Sequence, residues 1–206
     1  SGGKGTTAMF CGDKDEEMVQ YFEDIGNTYR PRTDRYKVGR ISGLPAHWKE
    51  LPDAHQSASY WYGFVSGFLA ADGTVDTYGC AMLTQCNKEA LEAITEQLPR
   101  IGMVAGPVRT QIRDVDLMNW SGKTYKDHEI HFVTLLKQFM QPDDILLSAH
   151  KEKFLKNWNP KSKYGQWMRI KAVRTTDRVE KVYCCREEET SRFVVGQGVI
   201  TSNCYG

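Results

Sequence analysis

The sequence predicts an α+β fold in which one strand–helix–strand unit occurs twice and a run of short β-strands follows. Three observations predict it. Ala8-Met9-Phe10 and Ala81-Met82-Leu83 open two stretches of matching order. Each stretch passes through a polar turn into an apolar pattern of helical period and stops at Ile-Gly, Ile25-Gly26 and Ile101-Gly102, a common helix C-terminal signal. From Trp167 onward the pattern becomes short alternating segments broken by turn residues, as β-strands are.

The totals bound what such a chain can be. Its 206 residues fit one large or two small domains, and 40% hydrophobic residues allow a real core. No apolar run approaches the roughly 18 residues of a membrane span, and no signal-peptide pattern opens the chain. Residues 1–160 carry 18 Lys/Arg against 21 Asp/Glu, and residues 161–206 carry 9 against 5. Contact with nucleic acid must therefore come from local patches and not from overall charge. The cysteines (Cys11, Cys80, Cys86, Cys184, Cys185, Cys204) form no CxxC pair and no zinc-finger spacing. Scattered cysteines without a secretory signal predict a reducing, cytoplasmic setting. Cys11, Cys80 and Cys86 are expected to be small buried hydrophobes.

In the first copy Met18, Phe22 and Ile25 share a helix face; in the second Leu91, Ile94 and Leu98 do. Both helices lead into Arg-bearing extended stretches, "NTYRPR" and "GPVRTQIR". Ahead of the second copy, "SYWYGFVSGFLAADG" predicts a further helix with Tyr60, Phe64, Phe68 and Leu69 as an apolar stripe. Gly63, Gly67 and Ala71 recur at i, i+4, i+8 on another face. Glycine costs about 1 kcal/mol against Ala in a helix interior. Two readings account for it: a close-packed second helix, which small-xxx-small spacing permits, or a buried helix with incidental glycines. Asp72-Gly73 ends the helix, with Gly73 free to turn the chain. If two such helices pair, two carboxylates meet, and paired carboxylates can hold Mg²⁺ for phosphoryl chemistry. A lone Asp-Gly is more simply a turn.

Gly67-Phe68-Leu69-Ala70-Ala71-Asp72-Gly73 resembles the LAGLIDADG motif of homing endonucleases. The order that follows fits the family too: strands around 74–86, a helix over 87–101, strands around 105–113 and 128–133, and a helix near 133–140. The resemblance spans residues 1–160. It implies αββαββα units working in pairs, with strand ribbons in the major groove of double-stranded DNA. It also implies Asp72 as a metal ligand and Mg²⁺ as the cofactor. The first unit lacks its motif helix, so a partner fragment is expected to bring the other acid. Arg30, Arg32, Arg35, Lys37 and Arg40, with Arg109 and Arg113 in the second copy, are the candidate DNA contacts. Arg30 and Arg32 share one side of a strand, as do Arg35 and Lys37. A solvated strand face is the plain alternative for any one of them.

The tail predicts strands at 167–175, 179–186, 192–196 and 198–201. Some 40 residues cannot bury a useful core alone, so this piece must pair with more chain. "KVYCCREEETSRFVVGQGVITSNC" resembles the C-terminal splicing segment of inteins, which have a Hint-type fold. The resemblance implies that Asn203 is the last intein residue and cyclises on its own carbonyl. It makes Cys204 the first residue of the downstream host (extein) protein, whose thiolate accepts the upstream segment. Three positions depart from the pattern: Ser202 stands where His usually precedes Asn, Ser191 aligns with the usual His of the acidic turn, and Cys184 replaces an Asp. A hydroxyl can donate a hydrogen bond but cannot act as an imidazole acid. No upstream Thr-x-x-His accompanies Ser1. The expectation is the C-terminal part of a split intein with an endonuclease domain over 1–160, a splicing segment over 161–203 and host residues 204–206. Its partner is an N-terminal intein fragment, in the cytoplasm of a microbial or phage-host cell, and no membrane is involved. The alternatives are a free-standing homing endonuclease or DNA-binding derivative, and a transcription regulator on the same unit.

Overall fold

The protein is described by a computed structural model. It describes residues 5–11, 13–22, 25, 38–113, 117–118, 124–125, 128–159, 172–177, 179, 192–195 and 199–202. Arg30, Arg32, Arg35, Lys37, Cys184, Cys185, Ser191, Asn203 and Cys204 lie outside them. The fold is mixed α/β with antiparallel sheets, as the sequence predicts.

The second copy is a two-layer unit. Helix α1 (Ala58–Ala71) leads into β3 (Thr74–Val75) and β4 (Ala81–Gln85), then α2 (Lys88–Gln97) and β5 (Arg109–Arg113). A short hairpin, β6 (Leu117–Met118) with β7 (Thr124–Tyr125), precedes β8 (His128–Thr134) and α3 (Ser148–Asn157). The sheet order is β3-β4-β8-β5, antiparallel throughout. Alternation along the strands sends Ala81, Leu83, Val133 and Leu135 to one face, where they are buried with Trp61, Val65 and Leu69 of α1, Leu91 and Ile94 of α2 and Phe154 of α3. The helices thus cover one face of the sheet.

Local chemistry sets the boundaries. Ser57 caps α1, its hydroxyl accepting from Tyr60 N at 3.2 Å, and Asn87 caps α2 from Ala90 N at 2.9 Å. The helix expected over 87–101 is α-helical only to Gln97; Pro99 gives it a final 3₁₀ turn, Leu98–Ile101, closed by Gly102 at φ 76°. The helix expected near 133–140 is not there. The β-branched and aromatic run His131–Thr134 continues as β8, and Gln141, extended before Pro142, separates two 3₁₀ turns at Lys137–Phe139 and Pro142–Asp144. Among the described residues the next α-helix is α3, farther along.

The first copy repeats this plan in part. β1 (Thr6–Cys11) pairs antiparallel with β2 (Val38–Leu44), as β4 pairs with β8. Between them Asp13–Tyr21 is 3₁₀, not α-helical. Asp15 Oδ2 accepts from Cys11 N at 2.8 Å, a local bond that ties the acidic run to the strand end. Phe10, Val19, Ile41 and Leu44 form a small core with Met18 and Phe22, while Ile25 is exposed, against the expected shared face. Cys11 and Cys86 are exposed and Cys80 half-buried, so none is the buried hydrophobe expected. Cys11 falls on the outward parity of β1, and Cys86 lies past the end of β4.

In the tail, β9 (Arg192–Val195) and β10 (Val199–Ser202) fall near the strands expected over 192–196 and 198–201 and pair antiparallel, with Ser202 opposite Arg192. Residues 172–177 carry no strand, contrary to the one expected over 167–175. Val173 is 87% exposed, with no layer against it to reward extension.

Candidate nucleic-acid interface and the carboxylate at the end of α1

Register divides the second unit's sheet into two surfaces. Leu83 opposite Val133 marks the helix-covered face. The other parity carries Met82 opposite Thr134, Thr84 opposite Phe132, Arg109 opposite Phe132 and Gln111 opposite Ile130. Among the described residues no helix covers that face. Met82, Thr84, Ile130, Phe132 and Thr134 are half-buried by their neighbours, and Arg109 and Gln111 are exposed. Arg113, opposite His128, holds a register position of the same parity. Arg40 is also exposed, opposite Met9 on the outward parity of the β1–β2 ribbon. Thr110 and His131, of the buried parity, are joined through Thr110 Oγ1 and His131 Nδ1 at 2.9 Å, a tie between β5 and β8.

The loop joining β3 to β4 is held by four side-chain hydrogen bonds. Asp76 Oδ1 accepts from Tyr78 N at 2.9 Å and Cys80 N at 2.8 Å. Lys137 Nζ donates to Tyr78 O, and Asn157 Nδ2 donates to Thr77 O. Gly79 takes φ 74°, where a Cβ would sit 3.1 Å from Asn157 Cβ.

Helix α1 differs from expectation in which face it buries. Its core residues are Trp61, Val65, Ser66 and Leu69; Tyr60 is exposed, and Phe64 and Phe68, stacked at 6.0 Å, are half-buried. The sequence stripe was offset because Trp61 and Val65 bury more apolar area on the neighbouring face. A Cβ added at Gly63 or Gly67 would meet nothing within 4 Å, so the glycine face stands open. Asp72 is the helix C-cap, its N–H bonded to Phe68 O at 2.9 Å and its side chain exposed. Gly73 is required by closeness and not by a left-handed backbone: a Cβ there would lie 2.5 Å from Leu69 O.

Among the described residues no three His, Cys, Asp or Glu side chains come together to hold a metal ion. Asp72 offers a single carboxylate, so these residues do not by themselves fit an Mg²⁺ site. The same residues contain no helix long and apolar enough to cross a membrane.

Sequence reasoning missed Gln111, because it sought positive charge and not strand parity. It also missed the Tyr62–Asp144 pair, which ties α1 to the turn before α3 through a 2.9 Å hydrogen bond. No sequence signal joins residues 82 positions apart.

No protein-family model matches the chain, and no curated protein matches it. Among solved structures, the crystal structure of I-DmoI in complex with DNA and Mn shares 16% identity, over 70% of this chain and 81% of that one, at a TM-score of 0.39. A likeness of that size carries no argument about fold or activity.

Proposed function

We propose that the chain binds duplex DNA through the open face of its β3-β4-β8-β5 sheet and the β1–β2 ribbon, as a LAGLIDADG-type unit of a metal-dependent endonuclease. One observation carries the reading. A single unit combines an uncovered sheet face bearing Arg109 and Gln111 with a helix whose bare glycine face ends at an exposed carboxylate. Strands of this kind can enter a major groove and reach phosphates and base edges. The glycine face suits a second helix at close range, and that helix would bring the acid that Asp72 lacks for Mg²⁺. An N-terminal intein fragment is the partner this reading assigns, in the cytoplasm. The test is a mobility shift with a labelled duplex over a range of salt. Arg40→Ala should weaken binding and reduce the slope of log K against log salt by about 1, and Arg109→Ala should weaken binding. Absence of wild-type binding at low salt would overturn the reading.

A second activity, splicing, is favoured by the β9–β10 hairpin, which ends at Ser202, next to Asn203. In this reading the Asn203 side-chain nitrogen attacks its own carbonyl carbon. The bond to Cys204 nitrogen breaks, the leaving amine gains a proton, and a succinimide closes upstream. The Cys204 thiolate would already have accepted the upstream host segment from a thioester. Ser202 can orient the carbonyl by donating a hydrogen bond, with Cys184 and Ser191 as supporting groups. Mixing the chain with an associating N-terminal fragment should give a ligated product, and Asn203→Ala should stall it at the branched stage. Unchanged masses in both would remove this assignment.

A further inference from the structure

We infer that Gln111 and Ile130 together read one A·T base pair, and that Arg109 reads a G·C pair two steps away, when the open sheet face lies in a major groove. The inference rests on the DNA-binding reading above.

Arg109 and Gln111 are alternate residues of β5, the edge strand of the sheet, and both are exposed on the uncovered face. Among the described residues no hydrogen bond or ion pair engages either side chain. Alternate residues on a strand are about 6.8 Å apart, and base pairs follow one another at about 3.4 Å. A strand lying along the groove therefore sets these two side chains over pairs separated by one. Arginine matches the two acceptors of guanine, O6 and N7; a glutamine amide matches the donor and acceptor of adenine, N6 and N7.

Register supplies the partner for the second contact. Ile130 is directly opposite Gln111, and such residues have Cβ atoms about 4.5–5.5 Å apart. An A·T pair shows its thymine methyl in the same groove as the adenine edge. Ile130, half-buried and apolar, is suited to that methyl while Gln111 takes the adenine. Phe132, opposite Arg109, has no polar atom, so Arg109 alone makes the polar contact with guanine.

The test is selection of the full chain on a randomised duplex library, followed by titration of the winners. The expected winners carry a G·C and an A·T pair two steps apart. Replacing that A·T pair by G·C should weaken binding on the order of tenfold. Gln111→Ala should erase the difference, so that the A·T and G·C duplexes bind alike. Replacing the thymine by uracil removes only the methyl; the wild type should lose affinity and Ile130→Ala should not. A flat selection profile, or a Gln111→Ala profile like the wild type's, overturns this assignment and leaves DNA binding standing. Failure of the wild type to bind any duplex overturns both.

Discussion

The Tyr62 hydroxyl donates to Asp144 Oδ1 at 2.9 Å, while Asp144 Oδ2 accepts from Gln141 N at 2.6 Å. The buried carboxylate thereby joins α1 to the turn ahead of α3. Burial, then the Asp144 hydrogen bond and the charges of Asp144 and Asp143, push the Tyr62 phenol up to about 12 from 10.0. The folded state thus holds the proton more tightly than the unfolded state. The contribution is complete below pH 10 and is lost as pH rises from about 10 through about 12. Tyr62→Phe should cost about 1 kcal/mol at neutral pH, below the usual range for a bond to a charged group because Tyr62 is partly exposed. The cost should vanish above about pH 12. Denaturant titrations of both proteins across that range check it, with phenolate absorbance showing one late-titrating tyrosine lost in the variant.

Three glycines separate local need from assembly need. Gly63 and Gly67 have open space beside them, whereas Gly79 has φ 74° and crowded neighbours. Gly63→Ala and Gly67→Ala should each stabilise the isolated chain by about 0.5–1 kcal/mol. Gly79→Ala should destabilise it by about 2 kcal/mol, from backbone strain and displaced α3 backbone. If a second helix packs on the α1 face, the two stabilising variants should weaken that association. Chemical denaturation measures the first effect, and fragment binding by calorimetry the second.

Much of the second unit was legible because its elements are periodic and capped. Asn87, Gly102 and the alternation of β4 and β8 announce themselves locally. The helix near 133–140 was misread because an apolar run of that length suits either a strand or a helix, and pairing with β4 and β5 decided for the strand. The first copy's helix was inferred by analogy with α2, but its Asp-rich start favours side-chain-to-backbone bonds over helical ones. Asp72 was found by motif. Its exposure as the C-cap of α1 was not legible, since a motif does not say which side chains the fold leaves open.

A bond between the two copies gives a third prediction. Leu147, the N-cap of α3, supplies no side-chain bond, and Glu17 fills the role from the first copy. Its Oε1 accepts from Ser148 N at 2.8 Å and its Oε2 accepts from the Ser148 hydroxyl. A carboxylate at a helix N-terminus meets both the free N–H groups and the positive end of the dipole. Glu17→Ala should cost about 1 kcal/mol. It should also release the β1–β2 ribbon preferentially, so hydrogen exchange should quicken at Met9 and Ile41 more than at Leu83 and Val133. Equal acceleration everywhere would mean that Glu17 contributes only general stability.

Asp72→Asn separates folding from chemistry. The Asp72 carboxylate is exposed, and the residue's part in the helix end is made by its backbone N–H to Phe68 O. Asparagine keeps that backbone bond and the side-chain size, so the melting curve should shift by no more than about 0.5 kcal/mol in stability. On the proposed DNA-binding reading, affinity should stay level or rise slightly, because one negative charge is removed near the phosphates. Cleavage by the assembled complex with Mg²⁺ should fall below detection, since removing a charged oxygen ligand leaves a hard cation underheld. The decisive comparison is cleavage against binding on one DNA preparation: binding retained and cutting abolished assigns Asp72 to the metal. Cutting retained with the variant would strike Asp72 from the metal site and leave it as the cap of α1.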